Sequence, residues 1–338
     1  MRYSTQVDIG QVKERQGGVN EDSVASLLFD ETHRDRRRQS VGAFVLADGA
    51  GGHDAGDIAS YLATTIIPEE LSDLVVQLGR GGNPILKDLG LDSSELPNPP
   101  EEEAIRDAIR DAVAMADDRI QDLTDDAKTT VVVGVYARGS LHLGWVGDSR
   151  AYVINQSRES IEQVTRDHSV VEHYVEEESL SPTVARVHDD NNVITRAVGG
   201  STVEVETNSV PIFGDDIILF ASDGLIDAYD RSSQLYQKYL RERDEEEAII
   251  AEIRESVVTD DEIAARVLES ETLDVAAERL VNLAVNRGGS DNISTLLFTD
   301  PGQETMVQAG REDLVRTYER SEETERDLES GETIADGS

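Results

Sequence analysis

Five short acidic turns are the parts of this sequence best suited to chemistry, because each places Asp or Glu beside Gly, Asn or Ser after an apolar segment. They are Asn20-Glu21-Asp22, Asp48-Gly49, Gly147-Asp148-Ser149, Ser222-Asp223-Gly224 and Asp291-Asn292. A carboxylate at a strand end is held by the strand, while the turn leaves it open. Two carboxylates at ~4 Å repel each other by about 4 kcal/mol at an effective dielectric constant of ~20. If several of these turns converge, bound cations would relieve that repulsion.

The ligand types in these turns indicate which cation would bind. Carboxylate oxygens and backbone carbonyls are hard ligands that suit Mg²⁺ or Mn²⁺. The chain has no cysteine, which excludes a thiolate site. The glycine after Asp48 permits the close backbone approach that a carbonyl ligand needs. Two such ions about 4 Å apart can activate a water for in-line attack on phosphorus. A single Asp-Gly pair is an ordinary turn signal, so the prediction depends on the whole set.

The elements that would position these turns are grouped along the chain rather than strictly alternating. Strands are predicted at 2–8, 23–29, 41–47, 203–210, 216–221 and 293–298, with a β-meander over 129–136, 141–146 and 151–154. Helical patterns cover 56–71, with a break or kink at Pro68, then 101–123 and 232–285. Residues 167–197 predict an irregular flap with one short helix. This grouping predicts an α+β fold, a four-layer α-β-β-α sandwich of two antiparallel sheets flanked by helices.

Composition narrows the choice of partners and surroundings. Lys and Arg total 31 against 70 Asp and Glu, giving a formal net charge of −39. Nucleic acid would be repelled by that charge, so we expect no nucleic-acid partner. An acidic surface of this kind predicts a halophilic source, where abundant cations screen the self-repulsion. The sequence shows no signal-like or membrane-spanning segment, which predicts a cytoplasmic protein without a membrane partner.

Eight motifs together resemble the protein phosphatase 2C family, and they occur in that family's order. They are Asn20-Glu21-Asp22, Asp48-Gly49-Ala50-Gly51-Gly52-His53 with Gly56, Lys128-Thr129-Thr130, Gly147-Asp148-Ser149-Arg150, Thr165-Arg166-Asp167-His168-Ser169, Ile194-Thr195-Arg196-Ala197-Val198-Gly199, Ser222-Asp223-Gly224-Leu225 and Ser290-Asp291-Asn292-Ile293. The resemblance implies hydrolysis of phosphoserine and phosphothreonine in proteins at a binuclear Mn²⁺ or Mg²⁺ centre. Its partners would be phosphorylated proteins, with the activity counteracting a Ser/Thr kinase.

The same resemblance implies roles for individual residues. Asp48 would bridge both metals, the Gly49 carbonyl would bind one, and Asp223 and Asp291 would complete the shell of the other. Glu21 and Asp22 would act through metal-associated waters, Asp148 would hold a weaker third ion, and Asn292 would orient Asp291 or a water. The family carries a phosphate-binding Arg three residues before the first-motif Asn, where this chain has Gly17, so Arg15 becomes the nearest candidate. The predicted boundaries are a catalytic domain over 1–300 and an acidic, disordered tail over 301–338.

Competing interpretations concern the same segments. A catalytically inactive phosphatase-like module that binds phosphoproteins or signalling partners is the main alternative, and loss of metal aspartates would mark it. The glycines after Asp48 are also compatible with a phosphate-binding loop before a helix, although that reading leaves the later acidic turns unexplained. His168, His173 and His188 lie in a polar segment without metal-ligand spacing, so we expect them to be solvent-exposed.

Overall fold

A computed structural model describes residues 1–33, 36–50, 55–80, 98–124, 126–200, 203–226, 232–242 and 245–316. Within these ranges the chain forms two antiparallel β-sheets packed face to face, with helices on their outer surfaces. The predicted four-layer α-β-β-α fold is therefore confirmed. Among the described helices, none has the length and apolar character needed to cross a bilayer.

The strands divide between the two sheets in an order that differs from their order in the chain. The first sheet contains, side by side, β1 (Arg2–Asp8), β11 (Ile293–Thr299), β10 (Asp216–Ala221), β7 (Arg150–Asn155) and β8 (Ser160–Gln163). The second contains β2 (Asp22–His33), β3 (Arg36–Ala50), β5 (Val131–Ala137), β6 (Ser140–Val146) and β9 (Glu206–Pro211), and β4 (Lys128–Thr129) pairs with the end of β3. β11 and β10, which are neighbours in the first sheet, both have an acidic turn at one end.

The described helices cover the outer faces of the sheets and also occur within the irregular segments between strands. They are α1 (Gln11–Gln16), α2 (Ala55–Arg80), α3 (Glu102–Leu123), α4 (Val170–Glu176), α5 (Pro182–Ala185), α6 (Ser232–Arg241), α7 (Glu246–Ser256), α8 (Asp260–Leu268) and α9 (Leu273–Arg287), with a 3-10 turn at Asp223–Leu225. Helices α2 and α3 share an apolar core with the second sheet, and α8 and α9 share one with the first sheet.

Alternation along the strands builds the layers, because successive side chains in a strand point to opposite faces. On β3, Val45 packs toward α2 and α3, while its neighbour Phe44 points into the space between the sheets. There Phe44 stacks on Phe298 of β11 with ring centroids 4.1 Å apart. On β10, Leu219 faces α8 and α9 while Phe220 faces the other sheet. The central strands β5 and β10 are thus buried on both faces, which holds their ends rigidly.

Two local predictions are wrong. Residues 129–154 do not form one meander, because β5 and β6 pair in the second sheet whereas β7 lies in the first. The turn at Gly147, which has a left-handed φ of 105°, carries the chain from the second sheet to the first, and the alternating pattern of strands and turns does not show this change of sheet. Helix α2 also continues through Pro68 without a break. Ile67 and Leu71 beside it are fully buried, and that packing outweighs the lost backbone hydrogen bond.

Residues 301–316, which the sequence analysis assigned to the tail, pack on the first sheet and its surroundings. Met306 is buried, and Arg316 is only 3% exposed. The Arg316 guanidinium lies 2.5 Å from Asp216 Oδ2 and 3.0 Å from Glu162 Oε2, and its Nε donates to the Pro211 carbonyl at 2.8 Å. Contacts with the domain therefore continue past residue 300. Residues 317–338 lie outside the described residues, and their disorder stays a prediction.

Candidate active site

The acidic turns meet at one end of the sandwich because their strands are neighbours. Asp22 begins β2 and pairs in register with Asp48 near the end of β3. Asp223 follows β10, and Asp291 precedes β11, which pairs with β10. The Ser222 hydroxyl donates to Asp22 Oδ2 at 2.9 Å and so joins the two sheets at this end. Strand pairing within each sheet and this contact between the sheets therefore bring residues separated by up to about 270 positions to one place.

The pKa values of two carboxyl groups report how closely the acids are grouped. Burial raises the pKa of Asp48 well above its usual value, and the charges of Asp22, Asp223 and Asp291 raise it further. Burial likewise raises the pKa of Asp22 to about 6, with a contribution from Asp291, while hydrogen bonds from Ser294 and Ser222 oppose the shift. Like charges are crowded here without enough positive charge to balance them.

Two glycines allow the backbones of neighbouring acidic turns to come into direct contact. A Cβ on Gly49 would lie 2.2 Å from the Gly56 carbonyl oxygen and 2.7 Å from that of Glu21, so no side chain fits. The Gly49 amide donates to the Glu21 carbonyl at 3.1 Å. A Cβ on Gly224 would lie 1.9 Å from the Asn292 carbonyl oxygen. These approaches hold the Asp48 turn against Glu21 and the Asp223 turn against Asn292.

Lys13 on α1 is a residue of this site that the sequence analysis missed. Its ammonium forms an ion pair with Asp291, and it lies 3.0 Å from Glu21 Oε2 and 3.1 Å from Asn292 Oδ1. Burial alone would lower the pKa of Lys13, but hydrogen bonds and charges from Asp291 and Glu21 outweigh it and raise that pKa above its usual value. Asn292 Oδ1 also accepts from the Glu21 amide at 2.9 Å, which ties these groups together.

Arg15 is not placed at this cluster. It is exposed, and its guanidinium donates to Gln11 Oε1 at 3.0 Å on the same helix. Positions 13 and 15 are separated by about 200° around an α-helix, so a helix that turns Lys13 toward the acids turns Arg15 away from them. The cation that the structure places beside the acids is Lys13. The sequence signal that could have identified Lys13 is that it lies two positions before Arg15, which places the two side chains on opposite sides of the short helix.

Asp148 lies beside the cluster rather than within it. It is buried in the turn between β6 and β7 and lines a cavity of about 290 Å³ together with Asp223. Within the described ranges, no three acidic or histidine side chains are already drawn together as the shell of one ion. The donor set nevertheless fits divalent cations, because it consists of hard oxygen ligands whose raised pKa values reflect uncompensated charge.

The prediction of solvent exposure is wrong for two of the three histidines and correct for the third. His168 is 5% exposed and His188 has only 14% of its side chain exposed, so the expectation of solvent exposure is wrong for both. His188 packs between Tyr174 and Tyr236, with ring centroids 5.5 and 4.5 Å away. His173 is exposed, as predicted. His53 and the other residues of 51–54 lie outside the described residues.

Comparisons with known proteins show which family and which solved structures this chain is similar to. Residues 9–256 match the sequence profile described as protein phosphatase 2C. The chain is similar to serine/threonine phosphatase stp of Listeria innocua, at 27% identity over 269 residues, covering 79% of this chain and 86% of that protein. The crystal structure of the Mycobacterium tuberculosis serine/threonine phosphatase PstP/Ppp matches with a TM-score of 0.57 and 25% identity, covering 88% of this chain and 97% of that one. The PstP catalytic domain in complex with two manganese ions matches with a TM-score of 0.56 and 24% identity, covering 88% and 96%.

Proposed function

This chain belongs to the protein phosphatase 2C family, a family of protein-serine/threonine phosphatases, and we propose that it hydrolyses phosphoserine and phosphothreonine in proteins with a water activated between two divalent cations. The observation that carries the proposal is the convergence of Asp22, Asp48, Asp223 and Asp291 at one end of the sandwich. Phosphorylated proteins are the proposed substrates, and opposition to a Ser/Thr kinase is the proposed biological role.

The residues proposed to hold the cations follow from their chemistry and placement. Asp48, the Gly49 carbonyl, Asp223 and Asp291 would bind the pair, while Glu21 and Asp22 would bind through water. Asp148 would hold a weaker third ion at the neighbouring cavity. When bound, Mn²⁺ or Mg²⁺ would lower the pKa of a water and neutralise charge on the phosphoryl group. The manganese ions of the PstP catalytic domain support this assignment without distinguishing the two metals.

The surrounding residues would position these groups. The Thr129 hydroxyl and the Thr130 amide both donate to the Asp48 carbonyl, at 2.8 Å each, which fixes the backbone of the Asp48 turn. Asn292 holds Lys13 and the Glu21 amide through one oxygen. Cations bound at Asp291 and Glu21 would compete for the partners of Lys13. The ammonium would then be available to the substrate phosphate, in the role first assigned to Arg15.

The inactive phosphatase-like module stays the second candidate, and the aspartates argue against it. A module that only binds phosphoproteins has no need of four crowded carboxylates, which cost free energy in the absence of cations. A cytoplasmic location, a halophilic source and the absence of nucleic-acid and membrane partners are further parts of the proposal. They are supported by the net charge of −39 and by the sequence pattern alone.

The decisive assay measures phosphate release from a phosphothreonine peptide at high KCl, with and without added Mn²⁺. We expect turnover that requires Mn²⁺ and disappears in excess chelator. Asp48→Asn should lower kcat at least ~100-fold, because it removes a carboxylate shared by the proposed ions. Asp111→Asn, an exposed acid on α3, is the matched control and should behave like the parent. Full turnover in excess chelator would contradict the metal-dependent mechanism, and no turnover under any metal would favour the inactive module.

A further inference from the structure

The backbone of the turn that carries Asp148 is held from both sides by His168. The Gly147 amide donates to His168 Nδ1 at 3.0 Å, and the His168 amide donates to the Gly147 carbonyl at 3.0 Å. Gly147 has a left-handed φ of 105°, and a Cβ there would lie 2.6 Å from Thr130. His168 therefore binds both backbone polar groups of Gly147, the residue that precedes Asp148.

The imidazole ring is fixed by its surroundings. It lies against the Trp145 ring at a centroid distance of 6.2 Å and an interplanar angle of 16°, and the Trp145 indole donates to the Arg166 carbonyl at 2.7 Å. Because Nδ1 accepts a hydrogen bond, the ring proton must be on Nε2, which lies 3.4 Å from Glu206 Oε1. Burial lowers the pKa of His168 despite that carboxylate, so the neutral ring is favoured.

His168 also connects the Asp148 turn to the irregular segment that follows it. The Thr195 amide donates to the His168 carbonyl at 2.7 Å, and Arg196 pairs with Glu206 at 3.0 Å. A bridge between Ser169 and Ile194 closes the same junction. The Asp148 turn and residues 194–196 thus share His168 as a common contact.

We propose that His168 is a positioning residue, which aims the Asp148 carboxylate into the cavity shared with Asp223 through its hydrogen bond from the Gly147 amide. The task of Asp148 at that cavity rests on the proposed function, whereas its placement by His168 does not. Residues that orient a metal ligand without touching the metal typically change metal affinity or activity by ~10- to 100-fold when they are replaced.

Two substitutions separate this role from general packing. Asn places its side-chain oxygen near the position of Nδ1, so His168→Asn keeps an acceptor for the Gly147 amide while it loses the ring contacts with Trp145, Glu206 and Arg196. His168→Leu fills the space without any acceptor. We expect His168→Leu to weaken binding of the last, weakest Mn²⁺ by roughly tenfold or more in calorimetric titration, and His168→Asn to restore most of it. Amide exchange of Gly147 in the metal-free protein should be faster in His168→Leu than in His168→Asn.

A double-mutant cycle gives the sharper test. In an Asp148→Asn background, His168→Leu should cause no further loss of Mn²⁺ binding, because the group that it positions is already gone. Equal Mn²⁺ binding by His168→Leu, His168→Asn and the parent protein, or full additivity in the cycle, would overturn the proposal. If His168→Leu does not fold, His168→Gln takes its place in the comparison. The Gln side-chain amide extends beyond the position of Nδ1, so the Gly147 amide has no acceptor at that position. A parent that binds Mn²⁺ but releases no phosphate would refute the proposed function and leave this inference testable by binding and amide exchange.

Discussion

Replacing Lys13 by Met should weaken substrate phosphate binding while leaving the fold in place. The ammonium lies 3.0 Å from Glu21 Oε2, where Coulomb's law at an effective dielectric constant of ~20 gives about 5.5 kcal/mol. The side chains of Lys13 and Glu21 are 25% and 15% exposed, so solvent screening reduces this figure. A hydrogen bond to a charged group contributes ~2 kcal/mol net, and we take that as the value of the contact that Lys13 transfers to phosphate.

A loss of ~2 kcal/mol corresponds to a fall of about 30-fold in kcat/KM. The assay is hydrolysis of a phosphothreonine peptide over a range of substrate concentrations at saturating Mn²⁺. Lys13→Arg keeps the positive charge and should recover most of the activity. Arg15→Met is the matched control, since Arg15 is exposed and contacts Gln11, and it should match the parent. A 30-fold loss in Arg15→Met with none in Lys13→Met would refute the assignment of Lys13.

Three further predictions concern stability. Because burial raises the pKa of Asp22 to about 6, this carboxyl group binds a proton more tightly in the folded metal-free protein than in the unfolded chain. The contribution of Asp22 to the free energy of unfolding must therefore fall as the pH rises from about 4 to about 6. The fall is at most ~3 kcal/mol, reduced by screening, and it appears as the difference in denaturant unfolding between the parent and Asp22→Asn. Arg316→Ala should cost ~3–5 kcal/mol in the same assay, because it leaves Asp216 buried without its cation. Molar KCl should raise the melting temperature, because it screens a net charge of −39.

Each of these predictions has its own contrary result. A parent and an Asp22→Asn protein that show the same pH profile between pH 4 and 6 would remove the crowding argument. Arg316→Ala combined with Asp216→Asn should recover part of the lost stability, and no recovery would mean that the ion pair is not the cause. A melting temperature that does not change between low and molar KCl would contradict the halophilic interpretation.

The convergence of the acidic turns was accessible from sequence because each turn sits at the end of a recognisable strand. Asp48 lies near the end of the apolar run that forms β3, which pairs with β2. Asp291 precedes the run that forms β11, which pairs with β10. The layered architecture followed from the grouping of elements for a similar reason. Local patterns that repeat every two or every 3.6 residues indicated the layers, whereas the meeting of the turns at one centre was implied by the family resemblance.

Other features depended on contacts that no local pattern encodes. The polar segment around His168 suggested solvent exposure, but tertiary packing against Trp145 and Glu206 buries the ring. The crossing from β6 in one sheet to β7 in the other depends on which strands pair across the whole chain, and strand propensity does not indicate it. The burial of Arg316 in an otherwise polar, acidic stretch depends on Asp216, a residue 100 positions away.

Calorimetric titration of the metal-free protein with Mn²⁺ tests most directly whether distant aspartates hold a shared pair of ions. We expect at least two ions per chain in the parent and the loss of tight binding in both Asp48→Asn and Asp223→Asn, with an unchanged circular dichroism spectrum. Unaltered tight binding in both variants, or no Mn²⁺ binding by the parent at all, would contradict the account.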